Sequence, residues 1–243
     1  MPELEWNRVR WNDEHPWPES GDEWSAGWGG PRAQWYGTIF PRIARWLPAG
    51  RVLEIAPGFG RWTQFLLRQC DELYGVDLNP KCIQRCVQRF SAYNRAHFVQ
   101  NDGFSLGMVA DNTIDLVFSF DSLVHAELDV VTAYCQQIVA KLSLNGVAFI
   151  HHSNAANGVD AENPNAEGRA KSVSSQAVRA LIEQAGGRVL MQEEINWAST
   201  ARVDCLTTFV RGQAYPHIGY TRLENNHFML EMQIIKAYQS QYH

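Results

Sequence analysis

Between residues 51 and 153 the chain alternates short apolar runs with longer stretches whose apolar residues recur at helical spacing. The runs are "RVLEIA" (51–56), "ELYGVD" (72–77), "AHFVQN" (96–101), "IDLVFSFD" (114–121) and "GVAFIHHS" (146–153). Such near-continuous runs fit strands buried on both faces, and the segments at 61–70, 80–90 and 129–142 fit helices that cover them. Pro80 suits the start of its helix, where no N–H is required. A further helix at 175–186 ends at Gly186-Gly187. "RVLMQEEINW" and "ARVDCLTTFVR" then read as a late antiparallel strand pair. The pattern predicts one α/β unit: a Rossmann-like, seven-stranded, mostly parallel sheet with helices on both faces. An amphipathic helix over about 222–240, apolar at Phe228, Met229, Met232 and Ile235, would pack on the sheet or on a second copy in a homodimer.

Ahead of this pattern, seven of the nine tryptophans lie at or before Trp46, interleaved with Gly and Pro in "EWSAGWGGPRAQWYG". Residues 1 to about 33 read as an irregular cap and 34–47 as its helical continuation. This Trp-rich cap, residues 1–47, is expected to belong to the same domain as 48–243. The polar loop "NAANGVDAENPNAEGRAKS" is longer than a compact domain needs for a connection, which marks it as functional.

Composition narrows the partners. At 243 residues and 45% hydrophobic the chain can bury a full core. A net charge of −5 leaves no basic excess to displace counterions from a nucleic-acid backbone. No apolar stretch is long enough to span a bilayer, and the polar N-terminus is not a signal peptide, so a cytoplasmic protein is expected. The five cysteines, Cys70, Cys82, Cys86, Cys135 and Cys205, read as reduced thiols. Cys82 and Cys86 have the spacing of half a metal site, with no other thiol near enough in sequence to complete it.

The turn "VLEIAPGFGRW", from Val52, sits where a parallel sheet binds ligands, beyond the carboxyl end of its first strand. Gly58 and Gly60 allow close backbone approach. Asp77 ends the second strand, placed to accept both hydroxyls of a ribose. Thr63 stands where a dinucleotide fingerprint needs a third small residue, and no G-K-[ST] is present to form a P-loop. A charge on Glu54 would repel a pyrophosphate and suit a ligand carrying an ammonium and a sulfonium.

"LEIAPGFG" resembles motif I of the class I S-adenosylmethionine-dependent methyltransferases, with Ala56 in place of the first glycine. "GVDLNP", "QNDGFSL" and "IDLVFSFDSLVH" resemble the later motifs, in order, across residues 51–153. The resemblance implies that Glu54, Ala56, Gly58 and Gly60 line the methionine end and Asp77 holds the ribose. Leu78 would flank the adenine, with Asn101, Asp102 and Gly103 at its edge and Phe120 beneath the cofactor. Trp24 and Trp28, flanked by glycines or small residues, are expected to face the site, Trp28 among the cofactor contacts.

For the acceptor, "FDSLVH" departs from the N/D-P-P-Y/F motif common in DNA- and glutamine-directed enzymes. "FSFDSLVHAELDVV" and "GVAFIHHSN", with the later "INW" and "DC", resemble methyltransferases of sugar and polysaccharide biosynthesis. A methyl transfer to a hydroxyl then needs a base, for which a histidine is suited. His152 is expected to be that base, steered by Asp204, with Asp121 and His125 orienting a saccharide. Tryptophan faces stack on pyranose rings, and Asp13, Glu14, Asp22, Glu23 and Arg32 of the cap would bond hydroxyls. In a second arrangement Asp121, His152 and Asp204 would hold a divalent ion such as Mg²⁺, although magnesium prefers oxygen ligands. N-methylation of a small amine or amino sugar, and a cofactor-binding scaffold without turnover, are the alternatives.

Overall fold

A computed structural model describes residues 3–157, 168–198 and 200–239. Eight strands form one sheet: β1 (Ala49–Ile55), β2 (Cys70–Asp77), β3 (Ala96–Gln100), β4 (Ile114–Ser119), β5 (Leu142–Ser153), β6 (Gly187–Trp197), β7 (Thr200–Arg211) and β8 (Thr221–Asn225). Their order is β3-β2-β1-β4-β5-β7-β6-β8. The first five strands run parallel, β7 is antiparallel to both β5 and β6, and β8 lies parallel to β6. The order reverses direction between β1 and β4, so a crevice opens beyond their carboxyl ends.

The expected seven strands become eight because 221–225 is a strand rather than the start of the last helix, which spans Phe228–Tyr238. The strand is exposed along its length and shows no apolar alternation. Charge pairing fixes it instead: Arg222 bonds Glu194 and Asn225 bonds Glu193 on β6.

Both sheet faces are covered. Leu53 and Ile55 face a core under the helices Leu128–Lys141 and Ser175–Gln184, while Val52 faces the other core. Ser174 caps the second of these helices through the Ala177 N–H. On the opposite face, helical turns from Pro31 to Trp46 place Trp35, Ile39 and Ile43 one turn apart and fully buried. Trp35 stacks on Phe65 with ring centroids 5.2 Å apart.

The first 33 residues are more helical than their Gly and Pro content predicts, with turns at Leu4–Val9, Arg10–Glu14 and Asp22–Trp28. The last helix packs on the cap. A Cβ at Gly27 would lie 2.6 Å from Met232 Sδ, and one at Gly37 2.6 Å from Ile235 Cδ1. Arg42 joins these parts through bonds to Glu193 on β6 and Glu231 on the helix.

Candidate active site

A cavity of about 550 Å³ lies at the sheet's reversal point, between the strand ends and the cap. Its floor comes from Ala56, Gly58, Asp77, Leu78, Gly103 and Phe120, and its roof from Trp6, Trp11, Trp17 and Trp24. The roof is anchored where the floor is barest. Trp17 stacks on Phe59 and fills the space a Cβ on Gly58 would take, and Leu4 does the same at Gly103. Three non-glycine residues that line the cavity adopt left-handed backbone: Trp17 (φ +50°), Ala56 (φ +56°) and Asp121 (φ +62°). Each costs on the order of 1–3 kcal/mol, and such strain collects where a ligand must be met in one geometry.

Asp77 accepts from the N–H groups of Gly58 (3.1 Å) and Asn79 (2.8 Å), and burial pushes its carboxyl up to about 6. Glu54 does not line the cavity. It is buried, bonded to the Thr63 hydroxyl at 2.5 Å, and burial pushes it up to about 8. It is therefore neutral at pH 7, and the negative charge expected of it at the methionine end is absent in the ligand-free protein. Its Oε1 is buried without a partner.

Gly60 (φ +86°) faces Phe90 instead of the cavity. Asn101 is also set back, bonding Gly103 N–H, Ser105 and Tyr134 to hold the loop's shape. Asp102 is exposed and caps the turn at Phe104 and Ser105. Trp28 is not a cavity residue: 2% exposed, it donates to the Thr38 hydroxyl and packs on Trp197 and Phe228. Of the expected pair of tryptophans, Trp24 alone lines the cavity.

The histidines do not lie where the sequence placed them. His152 lies wholly inside the protein, with Nδ1 on the Ser153 carbonyl (2.8 Å) and Nε2 on the Thr207 hydroxyl (2.7 Å). Both ring nitrogens are spent and neither meets the cavity, which removes it as a base. The alternation of β5 sends His151, its neighbour, the other way. His151 Nδ1 accepts from the Asp121 N–H (3.1 Å), and Nε2 lies 3.2 Å from Asp204 Oδ2, out of line for a hydrogen bond. Asp204 thus approaches His151 rather than His152. Burial alone would raise Asp204; the Arg169 charge and then His151 hold it down at about 2.

His125 does line the cavity. Its Nδ1 contacts the Gly168 carbonyl, an acceptor, so Nδ1 carries the proton and Nε2 the lone pair. Nε2 has no hydrogen-bond partner among the described residues. Burial, reinforced by the Arg169 charge, holds the ring down at about 4, so it is neutral at pH 7. Trp6 and Trp11 flank it at 6.0 and 5.2 Å between ring centroids.

Every cation on the cavity wall has an acidic partner. Arg61 pairs with Asp121 at 2.8 Å, Arg169 with Asp204 at 2.9 Å, and Arg10 with Glu14 at 3.4 Å. Asp121, His152 and Asp204 consequently do not form the metal site considered from sequence. Two carboxylates are neutralised by guanidinium groups and the imidazole is turned away. No other group of three suitable ligands occurs among the described residues. No helix among them is long and apolar enough to cross a membrane.

Arg61, Gly168 and Arg169 were not singled out as site residues, and of the two adjacent histidines on alternate faces of the strand end the base was assigned to His152 rather than His151. Arg61 directly follows the glycine turn, and "GRA" ends the polar loop flagged by its length; residues 158–167 of that loop lie outside the described residues.

Comparison with known proteins agrees with this layout. Residues 52–146 match the family model described as a methyltransferase domain. A 55-residue stretch is 34% identical to ribosomal RNA small subunit methyltransferase A of Dichelobacter nodosus, covering 23% of this chain and 21% of that protein. Among solved structures, the PH0226 protein from Pyrococcus horikoshii OT3 superposes with a TM-score of 0.59 at 18% identity, over 84% of this chain and 95% of the other. An S-adenosylmethionine-dependent methyltransferase from Clostridium acetobutylicum does so at 0.58 and 14% identity, over 74% and 91%. Residues 52–146 thus match the model of a methyltransferase domain, and over 74% or more of its length the chain has a fold found in S-adenosylmethionine-dependent methyltransferases.

Proposed function

We propose that the protein methylates a hydroxyl group of a small polyhydroxylated acceptor, a saccharide, with S-adenosylmethionine as donor. The residues present fit that donor. Asp77 offers a carboxylate already oriented by two backbone N–H groups, suited to a ribose diol. Ala56 and Gly58 line the cavity, and the buried Glu54 Oε1, two residues before Ala56 in the chain, has no hydrogen-bond partner among the described residues. S-adenosylmethionine supplies the methyl group: its bond to sulfur breaks with the electron pair left on sulfur as the acceptor oxygen bonds to carbon.

One observation carries the choice of a hydroxyl: His125 lines the cavity, and its Nε2 has no hydrogen-bond partner among the described residues. A hydroxyl must lose its proton as it attacks, and His125, with Nδ1 held on the Gly168 carbonyl, carries on Nε2 the lone pair that would receive it. Asp121, held by Arg61, would orient the acceptor beside it. The paired charges on the wall favour a neutral acceptor, and the cap indoles offer faces for sugar C–H groups. The roof also disfavours a folded ribosomal RNA of the kind named for the partial relative.

The test is incubation with methyl-labelled donor and panels of saccharides, small amines and 16S ribosomal RNA, read by mass spectrometry. Methylated sugar hydroxyls, with a rate ~10²-fold lower in His125→Ala and donor affinity unchanged, are expected. Product from amines or RNA alone overturns the reading.

A further inference from the structure

If His125 is a base, its tautomer matters as much as its position. An imidazole carrying its proton on Nε2 would present a donor to an incoming hydroxyl and could take nothing from it. The Nδ1 contact to the Gly168 carbonyl sets the tautomer, so whatever holds that carbonyl controls the base. Gly168 lies near the end of the long polar loop.

Among the described residues, three hydrogen-bonded contacts hold the segment 168–170, and the Arg169 guanidinium also lies over the Trp197 ring at 5.3 Å. Arg169 forks onto Asp204, with Nε 3.0 Å from Oδ1 and Nη2 2.9 Å from Oδ2, both side chains being buried. Ala170 N–H donates to the Val124 carbonyl at 2.9 Å, one residue before His125. The Ser153 hydroxyl donates to the Ala170 carbonyl at 2.7 Å. Gly168 itself is left-handed (φ +78°), and a Cβ there would lie 3.4 Å from both His125 Nδ1 and the Trp6 ring. Of the three, the fork is the directional one, since a planar guanidinium meets a carboxylate in a fixed orientation. Asp204 is in turn anchored on β7, paired in register with Ser153 of β5.

We propose that Arg169 is a positioning residue for the base: clamped on Asp204, it holds the Gly168 carbonyl against His125 Nδ1 and keeps the lone pair on Nε2, toward the acceptor. The placement rests on the reading of His125 as the base, yet it makes a claim about the resting protein that needs no turnover to check. It also gives Asp204 a task other than the one its sequence position implied, through a loop residue instead of a strand histidine.

The experiment is a long-range proton–nitrogen correlation spectrum of protein labelled with ¹⁵N-histidine, without donor or acceptor. Wild type should show His125 protonated at Nδ1 only. In Arg169→Met the Nε2-protonated form should rise to a comparable population, and turnover should fall ~10-fold or more with donor affinity unchanged. Arg169→Lys keeps the buried charge but not the fork; it should shift the tautomer in the same direction and is the safer variant should the methionine form fail to fold. A wild-type ring protonated at Nε2, or a folded Arg169 variant that keeps the Nδ1 proton, overturns the proposal. If the tautomer shifts as expected while His125→Ala methylates at the wild-type rate, Arg169 does position the ring and it is the base assignment that fails.

Discussion

Trp17 lies flat on Phe59, 4.4 Å between ring centroids with the planes 8° apart, and its edge covers Gly58. One indole thus connects the cap to the turn that faces the donor. Trp17→Ala should remove the stack and the cover over Gly58, destabilising the cap by about 2 kcal/mol. Limited proteolysis within residues 1–47 should accelerate, and donor dissociation measured by stopped flow should quicken. Unchanged proteolysis would show that other contacts hold the roof.

His125 and His152 should separate cleanly in kinetics. His125→Ala removes a group on the cavity wall, lowering turnover ~10²-fold with little effect on melting. His152→Ala instead strands the Thr207 hydroxyl and opens a hole in the core, costing about 1–3 kcal/mol. Its melting temperature should drop while turnover below that temperature is retained.

Glu54 should make the ligand-free protein less stable as pH rises through neutrality. Its folded carboxyl is pushed up to about 8 from an ordinary value near 4.5, so between these values the native state binds more protons than the unfolded state. That contribution is complete below about pH 4.5 and is lost as pH climbs through 8. His125 and His152, both held down at about 4 by burial, act oppositely: their contribution is complete above about 6.5 and is lost as pH falls through 4. From pH 6.5 to 8 Glu54 therefore dominates these groups, with a decline on the order of 1–2 kcal/mol. Thermal scans across that range should show the decline in wild type and its absence in Glu54→Gln.

Arg42 is the hub between cap, sheet and last helix, and its loss leaves the largely buried Glu193 carboxylate bonded to Asn225 alone. Arg42→Met should cost about 3–5 kcal/mol, because a buried acid without its cation is penalised more than the intact pair is rewarded. Urea unfolding should register the loss. A change below about 1 kcal/mol would mean that the pair merely compensates its own desolvation.

The strand order and the ligand turn were legible because long apolar runs and their spacing carry them. Parity along β5 was not. Every residue from Gly146 to Ser153 is buried or nearly so apart from the strand's first positions, so no polar face distinguishes His151 from His152. β8 escaped because its fixing forces are ion pairs, which leave no periodic trace in "TRLEN". The cap's short helices are stabilised by tryptophan packing on a distant sheet, a tertiary effect that overrides local Gly and Pro content. Arg169 lay far from any motif, and its pairing with Asp204 joins residues 35 apart in sequence.

The contact of Met232 with Gly27 and of Ile235 with Gly37 fastens the last helix over the later turns of the cap. On the ribosome, the sheet and its glycine turn emerge well before that helix does. The nascent protein therefore passes through a stage in which the cap lacks its contacts with the last helix, which arrive only when translation reaches it. A fusion or truncation that disturbs Phe228–Tyr238 should consequently be felt in the cap, in a mature protein whose N-terminal turns are held less tightly.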